Sequence, residues 1–263
     1  MNRRGDVMTH EEYTALPGIT ATAIKAGAKS MLNARYSMTH GREDTPSLEL
    51  GRLVHMRVLE PKRYAESVAV YDGARRGKEY DAFLRDNESR EIITQSMDDK
   101  LTAIALALMS NKDANPYISN LLESERVVQW SGKGYGCAKC RIDGFGKDYC
   151  VELKTTADAS LRAFENQCAR LGYHLQLGWY SLGIESAGLP KEIRVITVET
   201  SPPYHVVVYR PDDYLVDLGA KDAVKIATEI RKCIESGEWP GLADGLRVLS
   251  LPTWMEPEID MTE

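Results

Sequence analysis

Along the chain, apolar residues keep first a helical rhythm, then an alternating one, then a helical one again. Over 18–34 (GITATAIKAGAKSMLNA), Ile24, Ala28 and Leu32 recur at helical spacing, which predicts a single Thr-capped helix. A polar loop containing Gly41 and Pro46 follows. Leu50, Leu53, Val54, Val58 and Leu59 then line one side of a helix over 47–61, and Pro61 stops it. Residues 72–80 (DGARRGKEY) read as a flexible basic loop, and 96–110 as an amphipathic helix with Ser96 as its N-cap.

The rhythm changes at 126. RVVQW, CAKCRIDGF and DYCVELKTT are short β-rich runs separated by SGKGYG and GK, which predicts a three-stranded antiparallel meander. One long helix over 159–187, a strand over 192–200, an SPP turn, a strand HVVVYR and a last helix over 211–236, ended by EWPG, complete the order. The expected fold class is α/β: a mixed central sheet containing an antiparallel meander, flanked by helices. The boundaries read as an N-terminal extension 1–17, a single domain 18–255 and a tail 256–263.

Composition changes this picture little. With 263 residues, 43% of them hydrophobic and 27% charged, the chain has room for one large core. No apolar run approaches the ~20 residues of a membrane helix. MNRRGDVMTHEEY lacks the apolar stretch of a secretory leader, so a cytoplasmic protein with no membrane partner is expected. Five cysteines, an odd number, do not read as a disulfide framework. Cys137-x-x-Cys140 with Cys150 is the one thiol cluster to weigh as a zinc or iron–sulfur site. Cys137 and Cys140 lie three apart in a strand and face opposite sides, and a fourth ligand would have to be Cys168 or the distant Cys233. Strand packing is the simpler reading. A formal net charge of −6 argues weakly against nucleic acid, but residues 13–42 carry Lys25, Lys29, Arg35 and Arg42 and no acid at all.

Candidate chemistry centres on CRIDGFGKDYCVELKTT. Asp143 lies on the middle strand of the meander and Glu152 on the next, so direct pairing would bring their carboxylates about 5 Å apart. Two acids that close need a cation between them, and hard oxygen ligands suit Mg²⁺ or Mn²⁺. Lys154 shares the face of Glu152; a plain Glu–Lys pair explains those two residues equally well. Gln176 and Tyr180, four apart on the long helix, share one face. Gly51, a costly residue inside a helix, marks a close approach one turn before His55.

In this order, Gly51-x-x-x-His55, Arg141-Ile-Asp143-Gly, Glu152-x-Lys154-Thr and Gln176-x-x-x-Tyr180 resemble the motif series of RecB-like nucleases in the PD-(D/E)XK superfamily. The segments LELGRLVHMRVLEP, GKEYDAFL, CRIDGF, ELKTTADAS, YHLQLGWYSLGI, EWP and LSLPTW are similar to those of one branch, the RecE-type exonucleases (the nuclease domain of exodeoxyribonuclease VIII), from about 18 to 254. The resemblance implies a restriction-endonuclease-like core. It implies that Asp143 and Glu152 bind metal, with His55 and the backbone carbonyl of Leu153 as further ligands, that Lys154 assists the attacking water, and that Gln176 and Tyr180 hold the scissile strand. The second acid here is Glu152, where the RecE type often has Asp.

The resemblance further implies a Mg²⁺-dependent enzyme, with Mn²⁺ able to substitute. Its activity would be a 5′-to-3′ exodeoxyribonuclease on linear double-stranded DNA, releasing 5′-mononucleotides and leaving 3′ single-stranded tails for recombination by strand annealing. A ring-shaped homo-oligomer (a tetramer in preference to a trimer) and a RecT-type single-strand annealing partner come with it. The basic stretches then become channel lining, with Lys25, Arg75 and Arg76 as DNA contacts and Arg52, beside Gly51, as a reader of the 5′ end. The alternatives are an endonuclease or single-strand nuclease on the same fold, or a catalytically silent DNA-binding assembly subunit.

Overall fold

A computed structural model describes residue 8 and residues 10–40, 45–190 and 192–252. Gly41 and Arg42 of the expected loop and basic stretch, and the 256–263 tail, lie outside the described residues.

The chain begins with α1 (His10–Ala15), α2 (Ala21–Gly27) and α3 (Met31–His40). Thr20 Oγ1 caps α2 by accepting from the Ala23 amide at 3.1 Å. The single helix expected over 18–34 is therefore two. Ser30 Oγ accepts from the Asn33 amide and opens a second helix on a new axis. That break takes Ala28 and Leu32 off the buried face of Ile24, leaving Leu32 50% exposed. Next come α4 (Pro46–Leu59) and α5 (Pro61–Ser67), and Pro61 both ends one helix and starts the other.

A region read only as a loop and a helix holds more. β1 (Val68–Tyr71) pairs in parallel with β2 (Glu91–Thr94), and α6 (Lys78–Asp86) lies between them. Four-residue strands are too short to show a period, and the expected loop shrinks to 72–77. In α7 (Gln95–Ser110) the cap is Thr94 rather than Ser96, because Thr94 Oγ1 takes the Met97 amide at 3.1 Å. The short α8 (Asn115–Ser119) leads into the main sheet.

That sheet contains β3 (Glu123–Gly132), β4 (Gly136–Phe145) and β5 (Cys150–Thr156), then β6 (Ile193–Glu199) and β7 (Val206–Tyr209), in the order 3-4-5-6-7. β3–β4, β4–β5 and β6–β7 are antiparallel, while β5–β6 is parallel and needs a crossover. The crossover is two helices, α9 (Leu161–Leu171) and α10 (Tyr173–Ser186), where the sequence predicts one. Gly172 between them takes φ +67°, a left-handed conformation that ends a helix at no steric cost to glycine. α11 (Asp213–Ser236) closes the chain. α10 and α11 cross almost backbone to backbone: a Cβ on Gly178 would stand 2.0 Å from the Ala220 nitrogen.

Helices cover both faces of the sheet. On one face Ile24, Trp179, Ile184, Ala227 and Ile230 from α2, α10 and α11 pack on Trp130, Cys140 and Ile142. On the other, Leu53 and Val54 of α4 and Leu101, Ile104 and Leu108 of α7 pack on Val151, Leu153, Ile196 and Val198. This is the mixed α/β architecture of a restriction-endonuclease-like core. It explains why β5 reads CVELKTT: a central strand buried on both sides has no solvent face on which to place Glu152.

Candidate active site

β4 and β5 leave their turn paired at Phe145↔Cys150 and Gly144↔Val151, and the ladder stops there. On the next rung Asp143 and Glu152 would be opposite each other, but the strands part, and Asp143 Oδ2 accepts instead from the Leu153 amide at 2.7 Å. The fork holds two buried carboxylates, Asp143 at 8% and Glu152 at 3% exposure.

The oxygens of Glu152 differ. Oε1 accepts from Gln176 Nε2 at 2.6 Å and from the Lys154 ammonium. Oε2 is buried and has no hydrogen-bond partner. The ammonium of Lys25, on α2, donates to Gln176 Oε1 at 2.9 Å. An ammonium only donates and a carboxylate only accepts, so these two neighbours determine which way the Gln176 amide faces. Both lysines also lie over the Tyr173 ring, Lys154 at 4.9 Å and Lys25 at 5.7 Å from its centroid.

α4 approaches β5 from the opposite side. A Cβ at Gly51 would come within 3.3 Å of Thr155 Oγ1, so the glycine lets the helix sit close enough for His55, one turn on, to reach the strand. His55 Nε2 lies 2.9 Å from the Leu153 carbonyl, which only accepts, so Nε2 carries the proton. Nδ1 then faces Asp143 Oδ2 at 3.6 Å and Glu125 Oε1 at 4.0 Å. His55, Glu125 and Asp143 present ligand atoms within 4.8 Å of one another.

Over residues 21–251 the chain matches the PDDEXK-like domain of unknown function (DUF3799). It belongs to that PDDEXK-like family. The fold is shared with a crystal structure of a protein from Eubacterium rectale assigned as an exonuclease, at a TM-score of 0.62 and 15% identity, covering 94% of this chain and 96% of the other. A phage-related exonuclease from Haemophilus somnus aligns at a TM-score of 0.37 and 12% identity, covering 84% and 96%. No curated protein matches the sequence.

The PDDEXK-like superfamily usually works with divalent metals, and the side chains of this member fit one. His55, Glu125 and Asp143 bring an imidazole nitrogen and two carboxylates together, and Glu152, outside that trio but within electrostatic reach of Asp143, has a buried oxygen without a partner. Burial first, and the Asp143 charge second, push the Glu152 carboxyl up, with Lys154 opposing both. The same two causes raise Glu125 to about 7 against the pull of Arg141, whose Nε donates to Glu125 Oε2 at 2.7 Å. Burial alone would lower Lys154, but Glu152 and Asp143 outweigh it and hold the ammonium charged. A cluster this short of positive charge is relieved by a cation.

Glu125 was not among the sequence candidates. The β3–β4 register runs through Ser124↔Gly144 and Arg126↔Ile142, leaving Glu125 opposite Asp143 on an unpaired rung, and its φ of +55° is one that non-glycine residues rarely adopt. Nothing in the alternation of ESERVVQW marks that departure, though an acid two residues before a β-branched run is a signal worth testing.

Other expected contacts lie elsewhere. Gln176, expected to hold the scissile strand, is 7% exposed with both ends of its amide bonded to Glu152 and Lys25. Tyr180 is half-buried against the α10 core, its hydroxyl pushed well up by burial and then by Glu152. Arg52 makes a two-pronged ion pair with Glu91, at 2.6 and 2.7 Å. Arg75 donates to the Ile92 carbonyl, and Arg76 is exposed on the same 72–77 loop. Lys25, expected to contact DNA, donates to Gln176 in the Glu152 network. Burial raises the Cys150 thiol to about 11 and lifts Cys140 further, which disfavours the thiolates a metal–sulfur site requires. Among the described residues no helix is long and apolar enough to cross a membrane.

Proposed function

We propose that this protein is a divalent-metal-dependent nuclease, and more finely a 5′-to-3′ exodeoxyribonuclease acting on linear double-stranded DNA. The observation that carries the hydrolytic reading is the buried, unpartnered Oε2 of Glu152, a carboxylate that feels the Asp143 charge, with Lys154 on the other oxygen.

Asp143 and Glu152 would hold the metal, Mg²⁺ or Mn²⁺, with His55, Glu125 and the Leu153 carbonyl at its margin. When bound, the ion supplies Lewis acidity to a phosphoryl oxygen and lowers the pKa of a water. The rest falls to the chain. Gln176 and Lys154 occupy Glu152 Oε1, so Oε2 would be the oxygen left to a metal. Lys154, kept charged by two carboxylates, would orient a water and stabilise charge gathering on the phosphate. Arg141 steadies Glu125, and the Leu153 amide steadies Asp143.

An exonuclease is favoured over an endonuclease by the RecE-type segments and by the exonuclease assignment of the Eubacterium rectale protein that shares the fold. Polarity, the ring-shaped tetramer and the annealing partner rest on the RecE-type resemblance alone. End-labelled linear duplex and closed circular duplex, each incubated with and without Mg²⁺, test the reading. The expected result is Mg²⁺-dependent release of 5′-mononucleotides from the 5′ end of the linear form only. Cutting of the circle would make the protein an endonuclease, and no product with any divalent ion would remove the enzymatic reading.

A further inference from the structure

The basic residues singled out in the sequence leave unexplained a cleft of about 580 Å³ lined by Lys112, Tyr117, Asn120, Tyr149, Arg194 and Arg210, among others. It lies on the sheet face opposite Glu152. Arg194 pairs with Val151, whose side chain belongs to the α4–α7 core, whereas Glu152 faces α10. Tyr149, just before β5, precedes Glu152 by three residues, a rise of about 10 Å at ~3.3 Å per extended residue.

The floor of the cleft is built. Arg194 Nε donates to the Tyr117 hydroxyl at 3.1 Å, a terminal nitrogen pairs with Glu192, and the guanidinium lies 5.5 Å from the Tyr117 ring centroid. Tyr117 and Tyr149 meet edge to face at 4.9 Å, and the Tyr149 hydroxyl donates to the Tyr117 carbonyl at 2.9 Å. The rim is uncommitted. Lys112 and Arg210 are exposed, and among the described residues neither side chain makes a hydrogen bond or ion pair. Three cations thus line the cleft against Asp113 in its lining and Glu192, which pairs with Arg194, so the excess positive charge is that of the uncommitted rim, on a chain of net charge −6. Positive charge concentrated locally on an acidic protein favours a polyanion.

We propose that this cleft binds phosphates of a nucleic-acid backbone away from the cut, with Arg194 as the fixed contact and Lys112 and Arg210 as the rim contacts. The identity of the polyanion rests on the nuclease reading above; the anion chemistry does not. Because Tyr149 in the cleft lies about 10 Å along the chain from Glu152, at ~3.3 Å per residue, the bound phosphates belong to a different stretch of the substrate from the scissile one.

The test is the affinity of a fluorescent oligonucleotide in EDTA, measured by anisotropy over a range of salt, for the wild-type protein and for Lys112→Glu/Arg210→Glu. The double variant should bind at least ~10-fold more weakly. Its log K against log salt should be shallower by about 1.4–1.8, at ~0.7–0.9 per lost phosphate contact. Its thermal midpoint should not move, and with Mg²⁺ its KM for DNA should rise with kcat unchanged. Unchanged affinity and salt slope would overturn the proposal. Inorganic phosphate or a nucleoside monophosphate binding the wild type but not the variant, with oligonucleotide affinity unchanged, would make this a small-anion site and overturn the nucleic-acid assignment. Poly-glutamate binding more tightly than the oligonucleotide and weakening equally in the variant would also overturn it. Loss of oligonucleotide binding in the variant, with no hydrolysis by the wild type under any divalent ion, would keep the cleft and remove the nuclease reading. Robust hydrolysis with unaltered binding would do the reverse.

Discussion

Strand β5 is buried on both sides, and its two faces meet different demands. Val151 and Leu153, at 1% and 0% exposure, lie under α4 and α7 and need only contact. Glu152 and Lys154 lie under α10, where every polar atom needs a partner. Glu152 Oε2 lacks one, as does the indole N–H of Trp179 on α10. The apolar side is completed by the chain's own side chains; the ionic side is incomplete without something further. A protein folding only for stability would have filled both faces with aliphatic residues, because a buried ion pair seldom outperforms well-packed apolar groups.

The comparison can be broken most sharply on the ionic side. Asp143→Asn and Lys154→Ala should each lower Mg²⁺-dependent release of nucleotides from linear duplex by at least ~1000-fold. That corresponds to about 4 kcal/mol of barrier at ~1.36 kcal/mol per decade. Near wild-type rates in either variant would mean that the fork is a structural ion cluster.

The second contrast sets the faces against each other in stability. Leu153→Ala should cost ~2–5 kcal/mol in denaturant unfolding, by loss of buried contact and a cavity. Asp143→Asn in chelator should cost nothing and raise the thermal midpoint slightly. The amide oxygen can still accept from the Leu153 N–H, while the repulsion from Glu125 and Glu152 disappears. If both variants lost similar stability, the distinction between the faces would fail.

A third measurement uses pH. Glu125 titrates at about 7 in the folded protein and near 4.5 when unfolded, so the folded state holds its proton longer. Stability from this group is therefore full below 4.5 and is lost as pH rises toward about 7. Melts in chelator should fall across that window, and Glu125→Gln should flatten the fall. A saturating divalent ion, which favours the ionised carboxylate, should also reduce it. An identical slope in Glu125→Gln would show that another group governs it.

The smallest effect is expected outside β5. Arg52→Ala removes a partly exposed pair with Glu91 and should change stability by only ~0.2–1 kcal/mol. Relative rates on 5′-phosphate and 5′-hydroxyl ends should stay as in the wild type. A changed ratio would restore Arg52 as an end reader.

Much of this was legible in the sequence wherever the physics is local. Alternation marked the five main strands, and Pro61 and the EWPG segment marked helix ends. The spacing of Gly51 and His55 anticipated a close approach of α4. Breaks inside apparently continuous helices were not legible, because a residue such as Ser30 or Gly172 ends a helix only when packing rewards the turn. The short pair β1–β2 was missed because four residues carry no period.

By itself, the sequence determined which residues could be buried together on each element, and it placed Asp143, Glu152, Lys154 and His55 on elements able to converge. Side-chain periodicity along a strand or helix is a property of a few neighbouring residues. Only the tertiary structure decided what those residues meet. It added Glu125 through a left-handed backbone turn, oriented Gln176 by a lysine 151 positions away, and turned Arg52 toward Glu91. It also left one oxygen of Glu152 without a donor. Desolvation and hydrogen-bond partners depend on strand register and helix docking across the whole chain, and no local pattern encodes them.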